Sequence, residues 1–592
     1  MNIFKDKNEL TEALQACKSS FRSLGFFSAA INILALTPSI YMLQVYDRVL
    51  MSRNEVTLTM ITLMTVGLLA LAALLEMSRS FVLVRVGNKL DLKLNDRLYT
   101  ASFEANLRQG NGNAGQALRD LTNVRQFLTG NGILAFFDTP WIPIYMAVIF
   151  LFHPLLGLLA VGGAVISIAL TYANNRGTAR PLADANRLAV RSASVADSSL
   201  KNAEVIEAMG MLGSLRKRWM KDHHQFLSFQ AQASDQGAIW SHTSKYFRIF
   251  LQSAALGLGA LLVIENQITP GMMIACSILM GKALQPIDML TGVWRSFSGT
   301  KVAYERLVAT LDANPVRKLG IELPTPEGRI NFEAVSAGPP GIETATLINI
   351  NIQIQPGQAL GVIGPSGAGK STFMRLVVGV WRAQQGKVRI DGADINQYDK
   401  ELLGPHIGYL PQTIELFAGT VAENIARFGE MDSDKVINAA KLAGVHEMVL
   451  QLPKGYDTML GDQGAGLSGG QRQRLGLARA LYGNPKIVVL DEPNSNLDDA
   501  GEAALIEAIN HQRNLGHTVI LATHKPSLLT VTNNLMYLNR GQIAAAGPTM
   551  QVLKKLQESS QQQSAQGTNS SDRADITSPV ARLAQASEKT DS

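Results

Sequence analysis

Residues 359–380 read ALGVIGPSGAGKSTFMRLVVGV, and this stretch determines the fold of the region around it. An apolar run leads into a glycine-rich turn, and a helix-forming run follows, which is the order strand, loop, helix. Glycines let backbone N–H groups turn toward a bound anion, and the helix directs its positive N-terminal end at the same place. In this setting the pattern predicts a nucleotide-binding loop in an α/β domain.

The glycine loop has the side chains that ATP and Mg²⁺ require. Lys370 is placed to reach the β- and γ-phosphates, and the hydroxyl of Ser371 is placed to bind Mg²⁺. The predicted nucleotide-binding residues of this loop are Gly364, Pro365, Ser366, Gly367, Ala368, Gly369, Lys370, Ser371 and Thr372.

Three further segments carry chemistry that belongs beside such a loop. KIVVLDEP (486–493) is a buried-strand run that ends in Asp491, suited to Mg²⁺, and Glu492, suited to activate water as a general base. TVILATH (518–524) places His524 near the γ-phosphate, and IGYLPQTIELF (407–417) carries Gln412, whose amide is predicted to reach Mg²⁺ or water. In isolation, an Asp-Glu pair would more often lie in a solvated turn, and a lone His would more often have a structural role. Beside the glycine loop, Glu492, His524 and Gln412 are predicted to be catalytic, with Ser371, Gln412 and Asp491 at the metal.

The motif LSGGQ (467–471) raises the question of a second phosphate site. Ser468 and the backbone amides of Gly469 and Gly470, with Gln471, lie at a predicted helix start and form an anion-binding surface. The glycine loop already covers one side of a triphosphate. The second surface therefore predicts a homodimer in which each copy closes over the nucleotide of the other.

The N-terminal half has the composition of a membrane domain. The chain has 592 residues and is 46% hydrophobic, with a mean hydropathy of +0.08. Apolar stretches long enough to span a bilayer are predicted at about 22–45, 56–77, 132–152, 154–174, 246–266 and 268–292. A soluble helical domain with buried helices is the less favoured alternative.

The links between these stretches predict the orientation of the chain. Stretches one and two, three and four, and five and six are joined by short links that contain only Arg48 and Arg53 as basic residues. The long links are rich in Lys and Arg and are predicted to be helical extensions of the spans. The positive-inside rule places the long links, the N-terminus and everything after 292 in the cytoplasm.

The predicted domains follow from these patterns. They are a cytoplasmic N-terminal segment (1–20), a transmembrane domain with six helices (21–310), a linker (311–324), an ATPase domain (325–557) and a disordered polar tail (558–592). The net charge is +6, but the sequence contains no dense block of Lys and Arg, so we predict no nucleic-acid partner. Cys17 and Cys276 predict neither a disulfide nor a metal site.

Taken together, these motifs in this order resemble the ABC transporters, over about residues 20–557. The resemblance implies a six-helix, all-α ABC exporter membrane domain fused to an α/β P-loop ABC ATPase domain. It makes 364–372 the Walker A motif, Gln412 the Q-loop, 467–471 the signature, Asp491 and Glu492 the Walker B pair, 496–498 part of the D-loop and His524 the switch histidine. One departure is the stretch AVSAGPPGIETATL (334–347), which lacks the aromatic residue that usually stacks on adenine, so base selectivity is expected to be loose.

A narrower resemblance lies in the membrane half. TPSIYMLQVYDRVLMSRNEVTL (37–58) and FFDTPWIPIYMAVIFLFHPLLG (136–157) are similar to the PrtD/HasD-like type I protein-secretion ATPases. This similarity implies a multi-pass protein of the bacterial inner membrane, surrounded by membrane lipid, with its ATPase domain in the cytoplasm. It implies a periplasmic membrane-fusion (adaptor) protein and a TolC-like outer-membrane channel as partners, and a secreted protein substrate with a C-terminal signal.

Two alternatives to protein secretion stay open at this point. About twenty residues before the first span are too few for the peptidase-like domain of other type I exporters, which favours cargo with an uncleaved C-terminal signal. A lipid or drug exporter of the same architecture is the alternative function. A soluble ABC ATPase without a transport role is the alternative from another class, and the predicted spans disfavour it.

Overall fold

The structure is a computed structural model, and it describes residues 9–109, 115–316, 322–461, 464 and 466–566. The chain separates into two compact units. The first comprises 1–105 and 112–316, and the second comprises 317–592 with the short segment 106–111. The division therefore falls inside the predicted linker 311–324.

The first unit is helical throughout the residues described. Its α-helices are α1 (Glu9–Gln15), α2 (Lys18–Leu34), α3 (Thr37–Gln44), α4 (Leu50–Ser52), α5 (Glu55–Gln109), α6 (Gln116–Thr129), α7 (Asn131–Asp138), α8 (Ile142–Phe152), α9 (Pro154–Lys201), α10 (Ala203–Ala208), α11 (Leu212–Ile264) and α12 (Pro270–Ala313). A π-helical turn (Val45–Val49) lies between α3 and α4, and a 3₁₀ turn (Thr139–Trp141) lies between α7 and α8.

The six predicted spans are confirmed. Within the described ranges, six helical segments are long and apolar enough to cross a membrane: Lys18–Ser52, Glu55–Arg108, Gln116–Phe152, Pro154–Lys201, Leu212–Ile264 and Pro270–Trp294. Helices α5, α9 and α11 contain 55, 48 and 53 residues. At ~1.5 Å per residue each is ~70–80 Å long, against a hydrocarbon core of ~30 Å. The long links are therefore helical extensions of the spans, as predicted.

Buried polar contacts connect the spans. Arg79 on α5 lies 3.3 Å from Asp138 on α7, and Asn32 on α2 donates to the same carboxylate at 3.0 Å. On the last span, Asp288 pairs with Arg248 of α11 at 3.1 Å and accepts from Ser244 at 2.8 Å. Placing an ionisable side chain in lipid costs free energy. The ionisable side chains named here are paired with one another inside the protein.

The segment before the first span is partly folded. Helix α1 buries Leu10 and Ala13 in a cluster that includes Leu94 of α5 and Leu307 of α12. Glu9 pairs with Arg97 at 2.8 Å. These N-terminal residues therefore pack against the helical extensions of two spans.

The second unit is an α/β domain, as the sequence predicts. Its strands are β1 (Ile330–Ala337), β2 (Leu347–Ile354), β3 (Ala359–Ile363), β4 (Gln385–Ile390), β5 (Ala393–Asp394), β6 (Ile407–Leu410), β7 (Gly419–Thr420), β8 (Met459–Leu460), β9 (Ile487–Asp491), β10 (Thr518–Ala522), β11 (Asn534–Asn539) and β12 (Gln542–Pro548). Its α-helices are α13 (Lys370–Val377), α14 (Lys400–Leu403), α15 (Val421–Ile425), α16 (Ser433–Leu442), α17 (His446–Leu450), α18 (Gly469–Leu481), α19 (Asp499–Asn514), α20 (Pro526–Leu529) and α21 (Thr549–Gln566).

Two larger sheets organise this unit. One is antiparallel, in the order β2-β1-β4-β5, and the other runs β12-β11-β3-β10-β9-β6, with β12 as its antiparallel edge. Every residue of β9 and β10 is buried. Their alternate side chains enter two separate hydrophobic clusters, one on each face of the sheet. This explains the continuous apolar runs in both strands.

The predicted tail differs from the structure at its start. Helix α21 continues to Gln566, whereas disorder was predicted from 558. The helix is anchored by Val552 and Leu556, which pack against Ile363 and Leu535. Packing of this kind stabilises a helix beyond what its own sequence favours, and α21 continues to Gln566. Residues 567–592 lie outside those described.

Candidate active site

Four parallel strands bring the predicted site residues to one edge of the larger sheet. Ala522 of β10 is in register with Val362 of β3 on one side and with Asp491 of β9 on the other. Leu410 of β6 is in register with Leu490 of β9. The carboxyl ends of these strands therefore meet, as in other open α/β sheets whose ligands bind at that edge.

The glycine loop occupies the turn from β3 into α13. Gly364 through Gly369 form the turn, and Lys370, Ser371 and Thr372 are the first residues of the helix. Gly367 and Gly369 have φ angles of 78° and 101°, which favour glycine. A Cβ on Gly369 would lie 2.6 Å from Leu347 Cδ2, and one on Gly364 would lie 2.2 Å from the carbonyl oxygen of Leu538. Two of the glycines are thus required by close packing.

Lys370 is held inside the loop. Its Nζ donates to the carbonyl oxygens of Gly364 at 2.7 Å and Pro365 at 3.2 Å, and the residue is only 7% exposed. Burial lowers the pKa of Lys370, and the carboxylates of Glu492 and Asp491 act in the opposite direction. The ammonium group therefore lies inside the glycine loop, within electrostatic reach of the two acidic residues.

Asp491 is the last residue of β9 and is 1% exposed. Burial raises the pKa of its carboxyl group, and the negative charge of the neighbouring Glu492 raises this pKa further. A hydrogen bond from Ser371 acts in the opposite direction. Within the part of the chain that the structure describes, its Oδ1 has no hydrogen-bond partner. A buried carboxylate oxygen without a partner, next to a serine hydroxyl, fits the oxygen ligands that Mg²⁺ prefers.

Glu492 and Gln412 contact one another. The amide Nε2 of Gln412 donates to Oε2 of Glu492 at 3.0 Å. Glu492 has a φ of 50°, which is unusual for a residue other than glycine, and its N–H donates to Ala522 O at 3.0 Å. The sequence predicts both residues at the site, but not this backbone conformation.

His524 follows β10 by two residues. Burial lowers its pKa, the positive charge of Lys370 lowers it further, and Glu492 acts against both. A lowered pKa keeps the imidazole neutral at neutral pH, so that it has one N–H donor and one acceptor nitrogen. A neutral imidazole of this kind can donate one hydrogen bond to an anionic oxygen.

The LSGGQ motif forms a capped helix start. Ser468 is the N-cap of α18, and its Oγ accepts from the N–H of Gln471 at 3.2 Å, while Ser468 N–H donates to Oε1 of Gln471 at 2.8 Å. Because the hydroxyl oxygen acts as an acceptor, its proton stays free to donate outward. Among the described residues, no hydrogen bond joins Ser468–Gln471 to the glycine loop, so the structure does not bring the two surfaces together within one chain.

Several side chains that support the site were missed at the sequence level. Gln473 of α18 is 1% exposed and donates to the carbonyl oxygen of Pro493 at 2.9 Å. Thr523, next to His524, is fully buried and donates to Oδ1 of Asn494 at 3.0 Å. Their partners are distant in sequence, so no local spacing signals these contacts.

The loop from β1 to β2 lies in the stretch 334–347, which lacks the aromatic residue that is usual in the family. Ile342 in this loop is 51% exposed, and its carbonyl oxygen accepts from Nε2 of Gln384 at 3.0 Å. The loop ends at Thr346 and Leu347, which lie against Gly369. The segment that departs from the usual pattern is therefore adjacent to the phosphate-binding loop.

This fold and site define a class of protein: a six-span membrane unit followed by an ATP-binding cassette ATPase unit. The sequence profile described as "ABC transporter" matches residues 347–495, and that described as "ABC transporter transmembrane region" matches 23–286. The protein is a multi-pass membrane protein of the ABC transporter family, with an ATP-binding ABC ATPase domain.

Relatives and a solved structure support this assignment. The chain is 45% identical to the type I secretion system ATP-binding protein PrsD of Rhizobium meliloti (strain 1021), over 91% of this chain and 93% of PrsD. It is 31% identical to the cyclolysin secretion/processing ATP-binding protein CyaB of Bordetella pertussis (strain Tohama I), over 88% of this chain and 74% of CyaB. A bacterial Atm1-family ABC exporter with ATP bound matches 94% of this chain and 99% of its own, with a TM-score of 0.79 at 21% identity, which shows the same fold.

Proposed function

We propose that this protein is the inner-membrane ATPase of a bacterial type I secretion system and that it exports an unfolded protein. The observation that carries the proposal is the 45% identity to PrsD, which extends over 91% of the chain and so includes the membrane unit. An ATPase domain alone is shared by transporters of many substrates. The membrane unit is the part that a substrate crosses.

ATP hydrolysis is assigned to the residues at the carboxyl edge of the larger sheet. Lys370 and the backbone amides of the glycine loop neutralise the phosphates, and Glu492 accepts a proton from the attacking water. His524, neutral because its pKa is lowered, donates a hydrogen bond toward the γ-phosphate. Gln412 holds the Glu492 carboxylate in place through their 3.0 Å contact.

A magnesium ion is assigned to Ser371 and Asp491, with Gln412 beside them. When bound, it supplies positive charge to the β- and γ-phosphate oxygens. The buried Oδ1 of Asp491, unpartnered within the described residues, is the observation that supports this assignment.

Each ATP is proposed to lie between two copies of the chain. Ser468 of one copy, with the amides of Gly469, Gly470 and Gln471, closes over the phosphates held by the glycine loop of the other. The free proton of the Ser468 hydroxyl and the positive end of α18 both favour an anion there. ATP then stabilises the closed homodimer, and hydrolysis releases it.

The cargo is proposed to be an RTX metalloprotease, lipase or haemophore, selected by its C-terminal segment. The outer links between spans are short, such as Glu265–Thr269 between α11 and α12, so they cannot build a chamber in the periplasm. Export in one step therefore needs a periplasmic adaptor and a TolC-like channel. A folded domain is too large for a path between helices, so the chain is exported unfolded.

Secretion from a reconstituted system tests this function. The protein is expressed with a matching adaptor, an outer-membrane channel and an RTX protease or haemophore, and cargo in the medium is measured. We expect secretion that is lost when the last ~50 residues of the cargo are removed, and also lost with Glu492→Gln. Secretion that is indifferent to both changes contradicts the proposal. ATPase stimulation by lipids or drugs but never by C-terminal cargo peptides would favour the alternative exporter.

A further inference from the structure

We propose that Glu502 is a positioning residue for ATP hydrolysis, which holds the loop that carries His524. This inference rests on the proposed ATPase function and assigns a role to a residue outside the recognised motifs. Glu502 lies in the first turn of α19, ten residues beyond Glu492 in number but joined to the His524 loop by side-chain contacts.

Glu502 makes two bonds to the segment that follows His524. Its Oε2 accepts from Nζ of Lys525, the next residue after His524, and its Oε1 accepts from Oγ of Ser527. The Glu502 side chain is 15% exposed, whereas that of Lys525 is 43% exposed, so the carboxylate is the more sheltered partner of the pair. The hydrogen bonds from Lys525 and then Ser527 lower the pKa of Glu502, which keeps it an anion over the working pH range.

The other flank of His524 is anchored as well. Thr523 is fully buried, and its hydroxyl donates to Asn494 at 3.0 Å while accepting from the N–H of Lys525 at 3.1 Å. His524 therefore lies between two fixed residues, and one of these, Lys525, depends on Glu502. Burial and the charge of Lys370 lower the pKa of His524, so the imidazole is a neutral donor. In the proposed reaction its contribution then depends on where the loop holds it.

The turn that carries Glu502 is itself fixed in place. Asp498 is the N-cap of α19 and accepts from the N–H of Gly501 at 2.9 Å. Asp498 also pairs with Arg474 of α18, the helix that begins at the LSGGQ motif. Glu502 thus projects from a helix end that is bound to α18, and such a support can hold a loop at the precision that catalysis needs.

A surface ion pair without a catalytic role is the competing explanation, and it predicts different kinetics. Removing such a pair changes stability slightly and leaves turnover unchanged. A displaced His524 instead lowers kcat while ATP binding persists, since Lys370 and the glycine loop are untouched. The two explanations are therefore distinguished by whether kcat falls while KM for ATP stays the same.

The experiment compares Glu502→Ala and Glu502→Gln with Glu507→Ala in the purified full-length protein. Glu507 is an exposed carboxylate on the same helix, so its variant matches the charge change. We expect Glu502→Ala to lower kcat about ten- to a hundredfold, the scale of a small displacement of a reacting group, with KM for ATP within about twofold and an unchanged Tm. Glu502→Gln keeps the shape of the side chain and one acceptor oxygen, so it should lose less, and Glu507→Ala should match the wild type.

Two results would overturn the inference. Wild-type kcat in folded Glu502→Ala, which removes both bonds, shows that the contact is not used. A loss of kcat that appears only together with a lower Tm and a raised KM shows a purely structural role. Wild-type protein that fails to hydrolyse ATP contradicts the proposed function and this inference with it, whereas an active wild type with active Glu502 variants contradicts this inference alone.

Discussion

At the residue scale, Glu492 depends on its backbone as much as on its carboxylate. A φ of 50° is disfavoured for a residue with a Cβ and costs ~1–3 kcal/mol. The bond from its N–H to Ala522 O, in the neighbouring strand, helps maintain it. Such conformations persist where the surrounding structure over-determines them, and they are common at active sites. The strain at Glu492 therefore agrees with its proposed role as the base.

Exchange of Glu492 for glutamine tests that role. An amide cannot take a proton from water, so we expect Glu492→Gln to lower kcat by ~10²–10⁴-fold, the usual range for loss of a general base. ATP binding should persist, because the glycine loop is intact, and a closed dimer should accumulate. ATPase rate, ATP affinity and oligomeric state in the purified protein are the measurements.

Lys370→Ala is the matched comparison for that variant. Its loss removes the cation that faces the phosphates, so it should weaken ATP binding itself. Hydrolysis by Glu492→Gln at near the wild-type rate would show that another group accepts the proton. Loss of ATP binding in Glu492→Gln would equally contradict the assignment.

At the scale of elements, the sequence predicts the site well because adjacent parallel strands place their ends together. The apolar runs before Gly364, Asp491 and His524 predict β3, β9 and β10, and the glycines predict the loop. Gly364 and Glu492 directly follow β3 and β9, and His524 follows β10 by two residues, so the sheet register brings them to one edge. The motif order in the chain was sufficient for this part.

The contacts that support those elements could not be predicted in this way. Glu502 with Lys525, Thr523 with Asn494 and Gln473 with Pro493 join residues that are neighbours only in the folded chain. The extent of α21 beyond 558 was missed for a similar reason, since Leu556 is anchored by packing against distant strands. The local amino-acid composition after 557 therefore does not predict where the helix ends.

Truncation within the C-terminal helix tests the packing of α21. Ending the chain after residue 557 removes neither Val552 nor Leu556, so we expect unchanged ATPase activity and Tm. Ending it after 548 removes both buried side chains and should cost several kcal/mol of stability, at ~1.5–3 kcal/mol for each. Thermal unfolding and ATPase assays on both truncations decide this. Loss of activity in the longer chain would show that residues after 557 pack on the ATPase unit.

At the scale of the whole molecule, hydropathy and charge predict the two-unit organisation, and 316–317 is where the units divide. The spans are predicted because bilayer thickness sets a minimum apolar length, and the six candidate helices agree with it. Helices α5, α9 and α11 extend well beyond the length that a span needs. The sequence predicts that these extensions are helical, but it does not predict that α1 packs against them through Leu10 and Ala13.

The central claim is that ATP is held by the glycine loop of one copy and by the LSGGQ helix of the other. Within one chain the described residues show no hydrogen bond between the two surfaces, and the side-chain hydrogen bonds of the LSGGQ motif there are those of the Ser468–Gln471 cap. Symmetric closure of this kind gives a dimer with two equivalent composite sites.

Mixing two inactive variants tests the claim most directly. Lys370→Ala and Ser468→Arg subunits are co-expressed with different tags, heterodimers are isolated through both tags, and their ATPase rate is compared with that of each homodimer. Each heterodimer has one site with both halves intact and one with both halves altered. The account predicts that both homodimers are inactive and that the heterodimer regains activity, up to about half the wild-type rate if the two sites are independent. Full activity in a verified monomer, or in Ser468→Arg homodimers, would contradict it.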